Sequence, residues 1–281
     1  MKKLFATILA ITMAAALLAG CGSQSTGSDS ESTTAASGET FTFKHGFDKD
    51  FPPYSFIDDD GNTTGLDVEL AQAVCKYYGW KYEPVPINWD AKDAELKSGS
   101  IDCIWSGFTK NPAREKSYLF SEPYSINKQK IMIKEDSDIK TLADLKGKTV
   151  GVQSATSADE MLQAPVEEGG RADLKDTFAG LQEYDTYTSA INDLAAGAID
   201  AIAIDVTTGD YQMTKVKGLK YLDEEMGDEV YAIGFRMDDT ELCEKVNAAM
   251  KALAEDGTME KIASQDKYSE IYENLTMIDK D

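Results

Sequence analysis

The 281-residue chain holds a single histidine, His45, and four cysteines with no close spacing. A nucleophilic triad that depends on histidine would have to be built on His45 alone. That residue stands at the head of a predicted strand, where a solvated or satisfied structural role accounts for it. The cysteines offer no metal-ligand pattern. Apart from Cys21, they are Cys75, Cys103 and Cys243, an odd number that reads as buried thiols, with one pairing among the three left open. No metal and no cofactor is expected. Basic residues are also scarce: 28 Lys and Arg stand against 50 Asp and Glu, a net charge of −22. That excludes nucleic acid as a partner and argues against adsorption onto anionic lipid. No apolar stretch after residue 18 approaches membrane-spanning length.

What is there begins with Lys2 and Lys3, followed by an uncharged apolar run from Leu4 to Leu18. The run is short for a bilayer and has the shape of a signal-peptide core. It ends at Leu18-Ala19-Gly20-Cys21, which resembles the bacterial lipobox. That resemblance implies a diacylglycerol on the Cys21 sulfur and cleavage before it, so residues 1–20 are expected to be removed. The mature chain then carries 26 basic and 50 acidic residues, a charge of −24. Residues 21–40 are almost wholly Ser, Thr, Gly, Ala and acids. They cannot bury enough apolar surface to offset chain entropy, and they read as a flexible tether between lipid and domain.

From Phe41 onward, strand and helix signals alternate. Phe41 and Phe43 open a strand, and the proline- and aromatic-rich GFDKDFPPYSF reads as a structured loop. Asp67 is positioned to cap a helix through Leu70, Ala71, Val74, Cys75 and Tyr78, stopped by Gly79. A strand follows near Tyr82–Val85, a helix over Ala91–Lys97, a buried strand at Ile101–Trp105, and a helix started by Pro112. The alternation then resumes: strands at Lys130–Ile133, Thr149–Val152, Ile199–Ile204 and Val230–Phe235, and helices from Ser157, over Tyr187–Ala196 and over Asp239–Ala254. This order predicts an α/β fold with mixed, mostly parallel sheets. Ligands in such folds lie beyond the carboxyl ends of the strands, and two such units side by side would enclose a cleft.

Five ordered stretches carry a resemblance: GFDKDFPPYSF at 46–56, GLDVELAQAV at 65–74, Trp89 through SGSIDCIWSGFTKNPAREKSYLFSEPY at 98–124, TLADLKGKTVGVQSATSADEML at 141–162, and AGAIDAIAIDVTTGDY at 196–211. Together the chain resembles the polar amino-acid family of periplasmic-type solute-binding proteins (bacterial extracellular solute-binding protein, family 3 type) in a lipoprotein form. The resemblance implies a two-lobed flytrap joined by two crossover strands, near Ile126–Gln129 and Val230–Gly234. Residues 41–127 and 231–281 would form the first lobe and residues 128–230 the second.

It also implies a site. Arg114 matches the arginine that holds the ligand carboxylate, Thr109 a hydroxyl contact to it, and Ser106 and Gly107 further ligand contacts. Asp205 matches the aspartate that holds the α-ammonium. Thr156 and Ser157, at a helix start, would meet the carboxylate from the second lobe, although the family often has Gly where Ala155 stands. Phe51 and Trp89 match aromatic walls, Asp48 a polar contact at the far end of the ligand side chain, and Gln153 a side-chain contact. The residue types suit the task, because a buried zwitterion needs a paired partner for each charge, and guanidinium matches carboxylate on two prongs. The implied partners are a free polar amino acid, neutral amide or basic, and an ABC permease with its ATPase. The implied protein is a lipid-anchored extracytoplasmic monomer that catalyses nothing. The alternative is a cyclohexadienyl (arogenate or prephenate) dehydratase on the same fold, for which no carboxylate stands out in the sequence as a proton-transfer group.

Overall fold

The computed structural model of the chain describes residues 40–280. The expected signal peptide, nearly all of the expected tether and the lipidation site at Cys21 lie outside the described residues. The fold is α/β and two-lobed, built around two mixed sheets. The first has the strand order Lys81–Ile87, Thr42–Asp48, Cys103–Ile104, Gly234–Phe235, Leu119–Phe120. The second has the order Gly180–Tyr184, Thr149–Gln153, Ala201–Asp205, Ser125–Lys134, Leu219–Tyr231, Thr109–Lys110. In each sheet the first three strands pair parallel with one another, and every further pairing is antiparallel. In the second sheet each of the three parallel strands is followed by a helix, as crossover geometry requires.

The chain first gives the short edge strand Thr109–Lys110 to the second sheet and comes back for Leu119–Phe120; its main passage to the second sheet lies between Phe120 and Ser125 and its return between Tyr231 and Gly234. Over that passage the two longest strands, Ser125–Lys134 and Leu219–Tyr231, pair antiparallel from Tyr231 opposite Ser125 to Leu219 opposite Lys134. Two cores result. Leu66, Leu70 and Val74 on one helix pack with Val246, Met250 and Leu253 on the long helix Thr240–Glu255. Ile131, Ile133, Val150, Val152 and Leu162 form the core of the second sheet. Truncating one of these, Leu70→Ala for instance, removes about 2–5 kcal/mol.

Two sequence expectations are corrected here. The helix Leu66–Tyr78 is capped by Gly65, not by Asp67. Gly65 takes φ 128°, and a Cβ there would collide with the Tyr54 carbonyl. Asp67 lies inside the first turn and is fully buried. The helix expected from Pro112 is a single 3₁₀ turn, Arg114–Lys116. Asn111 Oδ1 accepts the Arg114 N–H at 2.8 Å, and the chain then turns back into the strand Leu119–Phe120.

Candidate functional site

Asp48, Gln153 and Asp205 are each the last residue of a parallel strand, Thr42–Asp48, Thr149–Gln153 and Ala201–Asp205. Ser106 and Gly107 follow the strand Cys103–Ile104, and Trp89 follows Lys81–Ile87. The carboxyl ends of both sheets therefore face one place. A small, tightly closed pocket lies there, lined by all eleven residues singled out above. The strand ends are rigidly placed by the two cores, and the polar side chains they carry are buried.

One end of the cavity is acidic. Asp205 occupies the N-cap position of the helix Val206–Lys215, but its side chain makes no capping bond. Its Oδ1 instead accepts from Asn127 Nδ2 (2.9 Å), Gln129 Nε2 (2.8 Å) and Tyr231 OH (2.6 Å), and its Oδ2 from Tyr187 OH (2.8 Å). The same two amides reach Glu229 Oε1 at 2.6 and 2.9 Å, so two carboxylates share them. Thr109 Oγ1 donates to Glu229 Oε2 at 2.9 Å, and Ser157 Oγ accepts from Gln129 Nε2 at 3.1 Å. Burial first, and then the neighbouring Glu229 charge, push Asp205 well above the usual carboxylate range. Among the described residues neither carboxylate is in an ion pair with a lysine or arginine.

Two buried cations stand in or beside the same pocket. Arg114 is buried, with its guanidinium 4.5 Å over the Phe108 ring and Nη1 on the Thr109 carbonyl at 3.1 Å. Its Nε and Nη2 both go to Glu160 on the helix Ser157–Gln163. Lys92 is the second buried cation here. Its Nζ donates to the Ala155 carbonyl at 2.9 Å and lies 5.3 Å from the Trp89 ring centre. Burial, with Arg114 close by, lowers its pKa to about 8. The loop that receives Lys92 is shaped by Ala155 itself, which takes φ 57°, the left-handed region usually left to glycine. Asp159 Oδ2 holds the Ala155 N–H at 3.0 Å, and Thr156 caps the helix by accepting from Asp159 N–H. The departure from glycine at this position is thus accommodated without losing the turn.

Gln153 Nε2 donates to Asp48 Oδ2 at 2.6 Å and to the Asp185 carbonyl at 3.2 Å. Burial raises the Asp48 pKa to about 6 against its hydrogen bonds from Asp50 N–H and Gln153. Ser106 Oγ accepts the Asp48 N–H at 3.1 Å and so ties two strand ends together. Gly107 takes φ 53°, and a Cβ there would strike the Phe51 ring. Its N–H is held by Asp67 Oδ2 at 2.8 Å, which sets the loop carrying Ser106 to Thr109. Trp105 is fully buried and does not line the cavity. His45 is a satisfied core residue, bonded to Tyr82 OH and the Trp105 carbonyl, with its pKa lowered to about 4 by burial.

Sequence reading missed Lys92, Asn127, Gln129, Glu160, Tyr187, Tyr231 and Glu229. A signal existed for two of them. In Ser125–Lys134 the buried positions 127 and 129 are polar while Ile126 is exposed, an inverted alternation that marks a polar inward face.

Known proteins agree with this architecture. The cystine-binding protein TcyJ of Escherichia coli is 32% identical over 81% of this chain and 83% of its own length. The arginine-binding extracellular protein ArtP of Bacillus subtilis is 31% identical over 93% and 96%. The structure of an ABC uptake transporter substrate-binding protein from Streptococcus pneumoniae with bound histidine superposes with a TM-score of 0.74, at 33% identity, over 79% of this chain and 90% of that one. The family model of bacterial extracellular solute-binding proteins, family 3, matches residues 43–268, and the chain belongs to that family.

Proposed function

We propose that this chain is the extracytoplasmic solute-binding protein of an amino-acid ABC importer, holding a free amino acid between its lobes and passing it to the permease and its ATPase without chemistry. The observation that carries this reading is the pairing of opposite charges in one buried cavity. Among the described residues Asp205, backed by Glu229, has no counter-cation, and the guanidinium of Arg114 lines the same pocket. An α-ammonium beside Asp205 would supply the missing positive charge, and an α-carboxylate would take the guanidinium. Thr109, Ser106, Gly107, Thr156 and Ser157 line the same space and are assigned as supporting contacts. The relatives named for cystine and arginine support the solute class.

In this reading residues 41–127 and 231–281 form one lobe, residues 128–230 the other, and closure follows from a ligand that touches both. The ligand side chain lies among Asp48, Phe51, Trp89 and Gln153. Asp48 there disfavours an acidic side chain, so a polar neutral or basic amino acid is taken over aspartate and glutamate. The monomer is tethered to the outer face of the membrane by a lipid on Cys21. Among the described residues no helix is long and apolar enough to cross a membrane.

Titration calorimetry on protein stripped of ligand by unfolding and refolding, against the twenty amino acids and cystine, tests the proposal. Saturable one-to-one binding of at least one amino acid is expected. No binding by any of them, or conversion of arogenate or prephenate to an aromatic product, overturns it.

A further inference from the structure

Two polar atoms at the side-chain end of the cavity have no partner among the described residues: the Trp89 Nε1–H, a donor, and Gln153 Oε1, an acceptor. Both side chains line the cavity and are more than nine-tenths buried. The orientation of the Gln153 amide is fixed by its neighbours. Asp48 Oδ2 and the Asp185 carbonyl can only accept, so Nε2 must face them and Oε1 is left over. Asp48 keeps spare acceptor capacity as well, since each of its oxygens takes a single hydrogen bond, from Asp50 N–H and from Gln153.

The unmet demand is therefore mixed: one donor seeks an acceptor, and two acceptor groups seek a donor. A guanidinium or ammonium brings donors alone and leaves the indole N–H buried without a partner. A carboxylate brings acceptors alone and faces both Gln153 Oε1 and the Asp48 carboxylate. A carboxamide brings one oxygen and two N–H groups on adjacent atoms. Phe51 supplies an apolar wall for the methylenes that carry it. We infer that the side-chain subsite formed by Trp89, Gln153 and Asp48 selects an amino acid with a terminal carboxamide, glutamine being the probe of choice. The inference rests on the amino-acid reading above and narrows it. The discrimination arises because a site with buried polar groups penalises any ligand that leaves one of them unpaired.

The experiment is calorimetry on the full mature chain, stripped of ligand, with L-glutamine, L-asparagine, L-arginine, L-lysine, L-histidine, L-glutamate and cystine. Glutamine is expected to bind at least about tenfold more tightly than arginine or glutamate. In Trp89→Phe, which keeps an aromatic ring and removes the N–H, glutamine is expected to lose roughly tenfold while arginine, relieved of the unpaired N–H, is expected to bind no more weakly than to the wild type. A thermal melt without ligand checks that the variant is folded. If arginine, lysine, histidine, glutamate or cystine binds most tightly to the wild type, the carboxamide assignment is overturned and the amino-acid reading stands. Equal losses of glutamine and arginine in a folded Trp89→Phe overturn the indole contact. Absence of binding by every amino acid overturns the amino-acid reading itself, and this inference with it.

Discussion

Both carboxylate oxygens of Glu160 receive N–H groups of Arg114: Nε lies 2.9 and 3.1 Å from them, and Nη2 2.9 Å from one. The two residues come from separate segments, the turn after Thr109–Lys110 and the helix Ser157–Gln163. The guanidinium that would clamp a ligand carboxylate is thus already clamped by one from the protein. The Nη1–Nη2 edge keeps one free N–H on each nitrogen, so in the proposed pose a ligand carboxylate would share a guanidinium already partly neutralised by Glu160, whose side chain is 41% exposed.

Removing that competitor should help the ligand. Glu160→Gln keeps the size and loses the charge, so it is expected to tighten amino-acid binding by about 1 kcal/mol, roughly fivefold in Kd. The same ion pair holds two segments together without ligand, so the ligand-free variant should show a larger radius of gyration by small-angle scattering. An unchanged Kd in calorimetry would remove Glu160 from competition with the ligand.

Substitutions at the two charged ends should act by separate routes. Arg114→Ala is expected to weaken binding by about 3–5 kcal/mol, because a buried carboxylate is left unpaired. Arg114→Lys should recover little of this, since an ammonium cannot make the parallel pair of hydrogen bonds. Asp205→Asn removes the charge facing the ammonium and should cost at least a similar amount, because Tyr187 and Tyr231 donate to different oxygens of Asp205 and the amide can accept from only one of them. Calorimetry reads all three. Retained affinity in either Arg114→Ala or Asp205→Asn would rule out the pose.

Legibility differed between parts of the molecule for physical reasons. Strand ends are marked by apolar runs that stop at a polar residue, so Gln153 and Asp205 stand out, whereas Asp48 closes a mixed strand whose end reads as a loop and was legible only through the family resemblance; all three line one pocket. Glu160 carries no such mark. It sits one turn into a short helix, and its role depends on how far its side chain reaches and on what lies opposite. Asp67 looked like a helix cap because acids favour that position, yet Gly65 and the buried demand of Gly107 N–H and Tyr124 OH draw it elsewhere. The Pro112 helix stopped after one turn because Arg114 is drawn inward to Thr109 and Glu160, and a longer helix would have to give up that geometry. Lys92 carries no mark of its own within the expected helix Ala91–Lys97, and only the tertiary fold brings its amine across to the Ala155 carbonyl.

The anchor is testable without the fold. Because Leu18-Ala19-Gly20 precedes Cys21 and a low-complexity segment follows, the mature protein should fractionate with membranes and carry lipid on Cys21. Cys21→Ala should remain unprocessed or appear in the soluble fraction. Mass spectrometry of the N-terminal peptide distinguishes the forms. A wild type found wholly soluble and unlipidated would remove the anchor.

Asp67 gives the protein a pH dependence of definite sign. Its carboxyl is fully buried, and desolvation raises its pKa from 3.8 to about 7, in spite of hydrogen bonds from Tyr124 OH (2.7 Å) and Gly107 N–H (2.8 Å). Between those two values the folded chain holds a proton that the unfolded chain has released. The stability Asp67 contributes is therefore full at and below about pH 4 and is lost as pH rises toward 7, of order 4 kcal/mol in all. Asp67→Asn keeps an oxygen for both donors and has no charge to bury. Its stability relative to wild type should be flat or slightly lower near pH 4, rise steadily to pH 7, and level off beyond. His45 and Asp48, whose pKa values burial also moves, are present in both proteins and cancel in the difference. Urea denaturation of the pair at pH 4, 5.5, 7 and 8 measures it. A difference that stays constant over that range would mean that Asp67 is ionised at no cost in the folded state, and its burial would then need a compensating charge.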